Sequence, residues 1–147
     1  MTTMTAASEQ FPHAADVGVR GRGATPEEAF EGAARALFSL VAEDASRIEP
    51  KVFLPVSAGP APLEELLAAY LNELIYLFVT RQIVFGVFEV RILDAGEGLF
   101  RLEGRALGEP YDPSRHESTV EPKAATYSEL RVGREDGGWV AQCVVDV

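Results

Sequence analysis

The hydrophobic pattern of this chain changes period near its middle, and that change constrains the fold more than any other feature. Before Arg81 the apolar residues recur at helical spacing in two stretches, whereas after it they alternate as they do in strands. A helix-rich first half followed by a strand-rich second half is typical of an α+β domain. We therefore predict a single α+β domain, in which two main helices pack on a mostly antiparallel sheet.

The first half contains start signals for both helices. The first helix is expected after Thr25-Pro26-Glu27-Glu28, which supplies an N-cap hydroxyl, a proline at the first helical position and a capping-box glutamate. The second helix follows Gly59-Pro60-Ala61-Pro62, and its wide apolar stripe places it at the centre of the core. The stripe consists of Leu66, Leu67, Tyr70, Leu71, Leu74, Ile75 and Phe78.

The strands are predicted from alternation and from the turn residues between them. Strand, helix and strand occur in that order twice, which would suit two related halves within one domain. We assign residues 1–10 to a flexible N-terminal segment and residues 11–147 to the domain. A proline-punctuated loop is expected at 108–116 and the last turn at 136–138. The strands are expected at 11–22, 51–57, 83–93, 99–106, 124–134 and 139–147.

Composition excludes several classes of protein. A length of 147 residues with 47% apolar content fits one domain with an ordinary core. The balance of 13 basic against 23 acidic residues gives a formal charge of −10, which repels a phosphate backbone, so RNA would be contacted only indirectly, through a partner. One cysteine and two histidines leave little material for a disulfide or a soft-metal centre. Because neither a signal peptide nor a membrane span is evident, we predict a cytoplasmic protein with no membrane partner.

The final strand carries the first candidate site. It is expected to run to the last residue, which brings the Asp146 side chain beside the carboxyl group of Val147. Negative oxygens concentrated in this way favour a hard cation. Strand alternation puts Cys143 on the face of Trp139 and directs Asp146 to the opposite face.

A small hydrolase that uses Cys143 or His13 is a separate class of function. A cysteine on an apolar face is more often a buried, unreactive thiol than a nucleophile. His13 lies three positions before Asp16, where it could be a general base, a metal ligand or, as we favour, a residue that shapes the turn. His116 is expected to be solvated in the polar loop and is given no role.

Five segments, in order along nearly the whole chain, resemble the archease family. Their joint occurrence is more specific than any one of them. The segments are His13–Val19, Leu71–Phe78, Gly108–Asp112, Lys123–Tyr127 and Asp136–Val147.

The resemblance implies an accessory protein, without ligase activity of its own, that activates an RtcB-type RNA ligase. Such a ligase joins RNA ends in tRNA splicing and RNA repair with GTP and a divalent metal, and the activator promotes its guanylylation and multiple turnover. The family's metal role falls on Asp16, Asp146 and Val147. Their oxygen atoms favour calcium, with magnesium or manganese also possible, over zinc. GTP is expected to be used by the ligase and not by this chain.

Lys123 belongs to one of the matching segments, and alternation would place it on one face with Tyr127 and Arg131. It could offset the charge of the carboxylates or reach an acidic or phosphate group on the partner, and both roles remain open. Pro122 and Ser128 depart from the family pattern, and Pro122 is expected at an edge, a strand start or a bulge.

Two further expectations concern structure and function class. Asn72 on the second helix is expected to satisfy a buried backbone group rather than to contact a partner. The alternative function is a chaperone-like interaction module without a metal-dependent role, with which the acidic composition is compatible.

Overall fold

The computed structural model describes residues 7–117 and 120–147. Two main helices pack on two antiparallel sheets, which confirms the predicted α+β class. The five-stranded sheet has the order β1-β2-β8-β6, with β7 also paired to β8, and the three-stranded sheet has the order β3-β5-β4. The strands are β1 (Ser8–His13), β2 (Asp16–Gly23), β3 (Val52–Ala61), β4 (Ile83–Gly96), β5 (Leu99–Pro110), β6 (Ala124–Ala125), β7 (Arg131–Glu135) and β8 (Gly138–Asp146). The helices are α1 (Pro26–Phe38), α2 (Leu63–Arg81) and the single-turn α3 (Pro113–His116).

Both main helices form as their sequences predict. The Glu28 N–H donates to Thr25 Oγ1 at 3.2 Å, as in a capping box, while Glu28 Oε2 accepts from the N–H of Ala24, one residue before the N-cap, at 2.6 Å. Every residue of the predicted α2 stripe is buried, from Leu66 to Phe78. Among the described residues, no helix is both long and apolar enough to cross a membrane.

The predicted strand at residues 11–22 is wrong, because these residues form the hairpin of β1 and β2. Ala14 makes the turn in the left-handed region, with φ 51°. Glycine and asparagine are the usual signals for such a turn, and the sequence has neither there. Residues 8–10, which we assigned to the N-terminal segment, lie in β1, while residues 1–6 of that segment lie outside the described residues.

The predicted strand at residues 124–134 is also interrupted. It consists of the two-residue β6 and of β7, and Thr126 Oγ1 bonds the Val144 carbonyl oxygen in the intervening segment. Because the strand is broken, alternation no longer supports a shared face for Lys123, Tyr127 and Arg131, and that placement stays a prediction. Pro122 lies just before β6, at the expected strand start.

The other boundaries shift by a few residues. Strand β5 continues to Pro110, so the first part of the predicted loop is paired with β3 and β4. Asp136 and Gly137 both have positive φ, 49° and 80°, and form the predicted last turn between β7 and β8. The strands beside α1 lie in different sheets, whereas those beside α2 lie in one sheet, and the relation between two halves stays a prediction.

Tyr70 provides a test of the core. Its side chain is 1% exposed and stacks on Phe30, but its hydroxyl has no hydrogen-bond partner in the part of the chain that the structure describes. Burial, together with the nearby Glu31 carboxylate, raises the pKa of this phenol. Since an unpaired buried hydroxyl costs desolvation energy, we expect Tyr70→Phe to raise the free energy of unfolding by about 1 kcal/mol in urea titrations.

The matched control for this change is Tyr76→Phe on the exposed side of the same helix, where the side chain is 59% exposed. The control should leave the urea midpoint unchanged. A loss of stability in Tyr70→Phe would show that the hydroxyl makes a favourable bond in solution.

Candidate carboxylate site at the end of the central strand

Two aspartates meet at the end of β8, the strand that pairs with β2 on one side and with β6 and β7 on the other. Val17 of β2 is paired with Val145 of β8, and one further step in this register sets Asp16 opposite Asp146. Side chains directly opposite in an antiparallel pair share a face, with Cβ atoms about 5 Å apart. The register therefore indicates that Asp16, which is half-buried, lies beside the exposed Asp146.

The other side of Asp146 is held by β6. Ala124 is its cross-strand partner, and the Lys123 N–H donates to the Asp146 carbonyl oxygen at 2.8 Å. Lys123 itself lies just before β6, and its side chain is exposed. Val147 follows Asp146 in the sequence, so its main-chain oxygen comes directly after the aspartate. The Val147 side chain packs against the core.

The donor set fits an incomplete oxygen shell. Two carboxylates and a main-chain oxygen suit calcium, magnesium or manganese, which take oxygen ligands and retain water. Within residues 7–117 and 120–147, no group of three or more His, Cys, Asp or Glu side chains is arranged to hold a metal ion. The site therefore does not fit a closed cage or a zinc centre, and metal binding by Asp16, Asp146 and Val147 stays a prediction.

His13 is the cross-strand partner of Asp16 at the turn of the first hairpin. Its Nδ1 atom is buried and has no hydrogen-bond partner among the described residues. Within the described part of the chain, the His13 side chain therefore has an unpaired nitrogen atom on the cross-strand partner of Asp16. A shallow depression flanks this side of the site, lined by Gln10, Phe11, Pro12, Asp16 and Val17.

Cys143 is fully buried, as predicted. Burial raises the pKa of its thiol to about 12, so the thiol stays protonated at neutral pH. A thiolate nucleophile is therefore not formed there, and this argues against the Cys143 hydrolase.

An ion-pair network on the same face was not predicted. Glu9 accepts hydrogen bonds from Arg20 and Arg22, and these two bonds lower the pKa of its carboxyl. Arg20 also donates to Gln142 at 2.8 Å, and Arg22 pairs with Glu135. The two guanidinium groups are therefore engaged with partners away from the aspartate pair. Arg20 and Arg22 alternate along β2 in the sequence, but their pairing with Glu9 depends on the hairpin of β1 and β2, which the sequence did not predict.

The expectation for His116 is wrong, because this side chain is only 3% exposed. The Asp112 N–H donates to His116 Nδ1 at 2.9 Å, so the proton of the neutral ring lies on Nε2, which donates to Glu109 at 3.0 Å. The ring also stacks on Tyr111. The loop that contains His116 folds back on the end of β5, and the partners of the ring lie within seven positions of it in sequence.

Glu109 is the buried carboxylate of this cluster. Burial opposes its ionisation, but hydrogen bonds from His116, the Glu49 backbone and Arg115 outweigh burial and lower the pKa of the carboxyl. A carboxyl with a lowered folded-state pKa contributes stability above its unfolded pKa and loses it as pH falls through the folded value. We expect Glu109→Gln to cost about 1–3 kcal/mol at pH 7 and to weaken the decline of stability below about pH 4.5. Urea titrations at pH 7 and pH 3.5 measure both effects, and an equal loss at the two pH values would contradict the account.

Together, the fold and the site define a small α+β protein with an open carboxylate pair at one end of its larger sheet. The family model of the archease protein family matches residues 9–147, and the chain belongs to this family. An archease from Pyrococcus furiosus is 43% identical over 140 residues, which cover 95% of this chain and 97% of that protein. An archease from Methanopyrus kandleri is 41% identical over 139 residues, which cover 95% of this chain and 98% of that protein.

Two solved structures share the fold. The solution structure of protein 1598 from Methanobacterium thermoautotrophicum has a TM-score of 0.78 and 29% identity, and the match covers 96% of this chain and 99% of that one. The crystal structure of an archease from Thermotoga maritima, described as a possible chaperone, has a TM-score of 0.53 at 18% identity, with full coverage of both chains. The second likeness concerns the fold alone.

Proposed function

We propose that this protein is a metal-binding accessory factor that activates an RtcB-type RNA ligase in the cytoplasm. It promotes guanylylation of the ligase with GTP, so that the ligase turns over repeatedly in tRNA splicing and RNA repair. Membership of the archease family supports this proposal at the level of the whole chain. The proposal assigns no catalytic residue to this protein.

The observation that carries the proposal is the register of β2 and β8, in which Val17 pairs with Val145 and the next step sets Asp16 opposite Asp146. Two like charges placed directly opposite destabilise a sheet, so the pair costs energy unless a cation or a partner neutralises it. The basic side chains nearest along this face, Arg20 and Arg22, pair instead with Glu9, Gln142 and Glu135. The unneutralised carboxylates therefore favour a bound divalent ion.

Asp16, Asp146 and a main-chain oxygen of Val147 would hold this ion, with calcium the first candidate and magnesium or manganese possible. When bound, the ion supplies positive charge that attracts a phosphate or carboxylate group of the ligase. The carboxylates set the position of that charge on a rigid element, because Asp146 is fixed between two neighbouring strands. Water, or groups of the ligase, would complete the coordination.

For Lys123, its exposure supports the role of reaching the partner. Its main-chain N–H donates to the Asp146 carbonyl oxygen, and its side chain is exposed. An exposed lysine in this place is available to an acidic or phosphate group of the partner.

A chaperone-like module is the second candidate. The observation that favours it is a set of exposed apolar side chains, among which Tyr127 is 64% exposed and Phe53 is 60% exposed. The description of the Thermotoga maritima protein as a possible chaperone agrees with this candidate. Protection of a client from aggregation that persists in EDTA would favour it.

The test is multiple-turnover RNA ligation by the cognate ligase with GTP and a divalent metal, with and without substoichiometric amounts of this protein. The wild type is compared with Asp16→Ala. Stimulation by the wild type alone is the expected result. Stimulation by both proteins would remove Asp16 from the mechanism. No stimulation by either, with a ligase active in single turnover, would favour the chaperone-like module.

A further inference from the structure

The outer edge of β6 is bound by a side chain instead of a strand. The Ala125 N–H donates to Asn72 Oδ1 at 2.8 Å, and Asn72 Nδ2 donates to the Ala125 carbonyl oxygen at 3.1 Å. A carboxamide offers one donor and one acceptor, as a backbone peptide does. Asn72 of α2 therefore takes the position of the next strand and satisfies the buried backbone of Ala125, as the sequence predicted.

The inner edge of the same strand holds the end of β8. Ala125 pairs with Val145, and Ala124 pairs with Asp146. The Lys123 N–H bonds the Asp146 carbonyl oxygen, and the Thr126 N–H bonds that of Val144, both at 2.8 Å. A strand of two residues has too few ladder bonds to hold its place alone. Contacts on its outer edge therefore decide how firmly it holds Asp146.

Asn72 is well placed to act as this anchor. Its neighbours Leu71 and Leu74 are fully buried, so the backbone of α2 is fixed in the core at this point. Asparagine is also a weaker helix former than alanine in the middle of a helix. Its presence at the centre of α2 is explained by the two bonds to Ala125.

We propose that Asn72 is a positioning residue of the carboxylate site, which acts through β6 to fix Asp146 opposite Asp16. This inference rests on the proposed function for its effect on activity. The contacts run from Asn72 to Ala125, from β6 to β8, and then to Asp146. Loss of groups that orient metal ligands commonly costs 10–100-fold in metal affinity or activity.

Two variants and one control test the inference. Asn72→Ala removes both bonds, and Asn72→Asp keeps the acceptor for the Ala125 N–H but sets a second oxygen against the Ala125 carbonyl. The control is Thr80→Ala, which removes a side-chain bond to the Tyr76 carbonyl on the same helix. Three quantities are measured: amide exchange of Lys123 and Thr126 by NMR, calorimetric titration with calcium or manganese chloride, and stimulation of ligation.

In both Asn72 variants, we expect faster amide exchange at Lys123 and Thr126, roughly tenfold weaker ion binding and a matching loss of stimulation. Asn72→Asp should be the more severe of the two. The control should behave as the wild type, whereas Asn72→Ala should lower the unfolding midpoint, because it leaves the buried N–H and carbonyl oxygen of Ala125 without their partner. Unchanged exchange, or faster exchange with full ion binding and stimulation, would overturn the inference.

Failure of the proposed function gives a different result. A wild type that neither binds the ion nor stimulates the ligase contradicts the proposed function directly. The positioning of Asp146 is then judged by amide exchange alone, where protection lost in Asn72→Ala supports it and protection retained overturns it.

Discussion

Replacing Asp146 with asparagine is expected to abolish stimulation of the ligase without lowering the free energy of unfolding. The register of β2 and β8, continued one step beyond Val17 and Val145, sets Asp146 opposite Asp16, and the removal of one of two facing like charges relieves repulsion. Because Asp146 is exposed and screened by solvent, the gain in stability should be small, about 0.5 kcal/mol at most. Loss of activity with preserved or increased stability is typical of a functional site.

The two aspartates should also act as one unit. Asp16→Asn and Asp146→Asn should each remove stimulation, and the double variant should be no worse than either single variant. The measurement combines multiple-turnover ligation with urea titration of each variant. The control is Asp94→Asn, an exposed aspartate of β4 in the other sheet.

The control should leave both activity and stability unchanged. If the Asp146→Asn variant unfolded at lower urea concentration in step with its loss of activity, the pair would be structural and the site account would be contradicted. Effects that multiply in the double variant would mean that the aspartates act separately.

Gly21→Ala is expected to cause the largest loss of stability of the changes considered. A Cβ atom at Gly21 would lie 2.1 Å from the Ala29 carbonyl oxygen and 2.2 Å from the Ala33 nitrogen. Both are backbone atoms of α1 and have no freedom to rotate away. The helix would have to move off β2, and we expect a loss of about 3 kcal/mol, as severe overpacking causes.

Gly133→Ala is the matched control, because it lies in β7 of the same sheet and an added Cβ would meet nothing within 4 Å. This change should be neutral or slightly stabilising, since glycine weakens a strand interior. Urea titrations of both variants give the comparison. Equal stability of the two variants would mean that α1 does not approach β2 as closely as the structure indicates.

Much of the fold could be predicted because its signals are local. The capping box at Thr25 and the apolar stripe of α2 depend on residues close together in sequence. The first hairpin could not be predicted, since Ala14 adopts a left-handed turn that alanine does not signal. The break after β6 was missed for a similar reason, because side-chain bonds of Thr126 replace strand pairing there.

The candidate site was predicted only in part. The acidic end of the last strand singled out Asp146, and the family resemblance added Asp16, but their register depends on the unpredicted hairpin. The bonds of Asn72 join residues 53 positions apart, and the partners of His116 became visible only with the folded loop. The length of β6 and the exact partner at its outer edge are properties of packing between distant segments.

The central claim is that this protein promotes guanylylation of the ligase. The most direct measurement is the rate at which the ligase becomes covalently labelled by radiolabelled GTP, without RNA, in the presence and absence of this protein. The account predicts faster labelling with the wild type, and no acceleration with Asp146→Asn or after removal of divalent ions. An unchanged labelling rate with a ligase that is active in single turnover would contradict it.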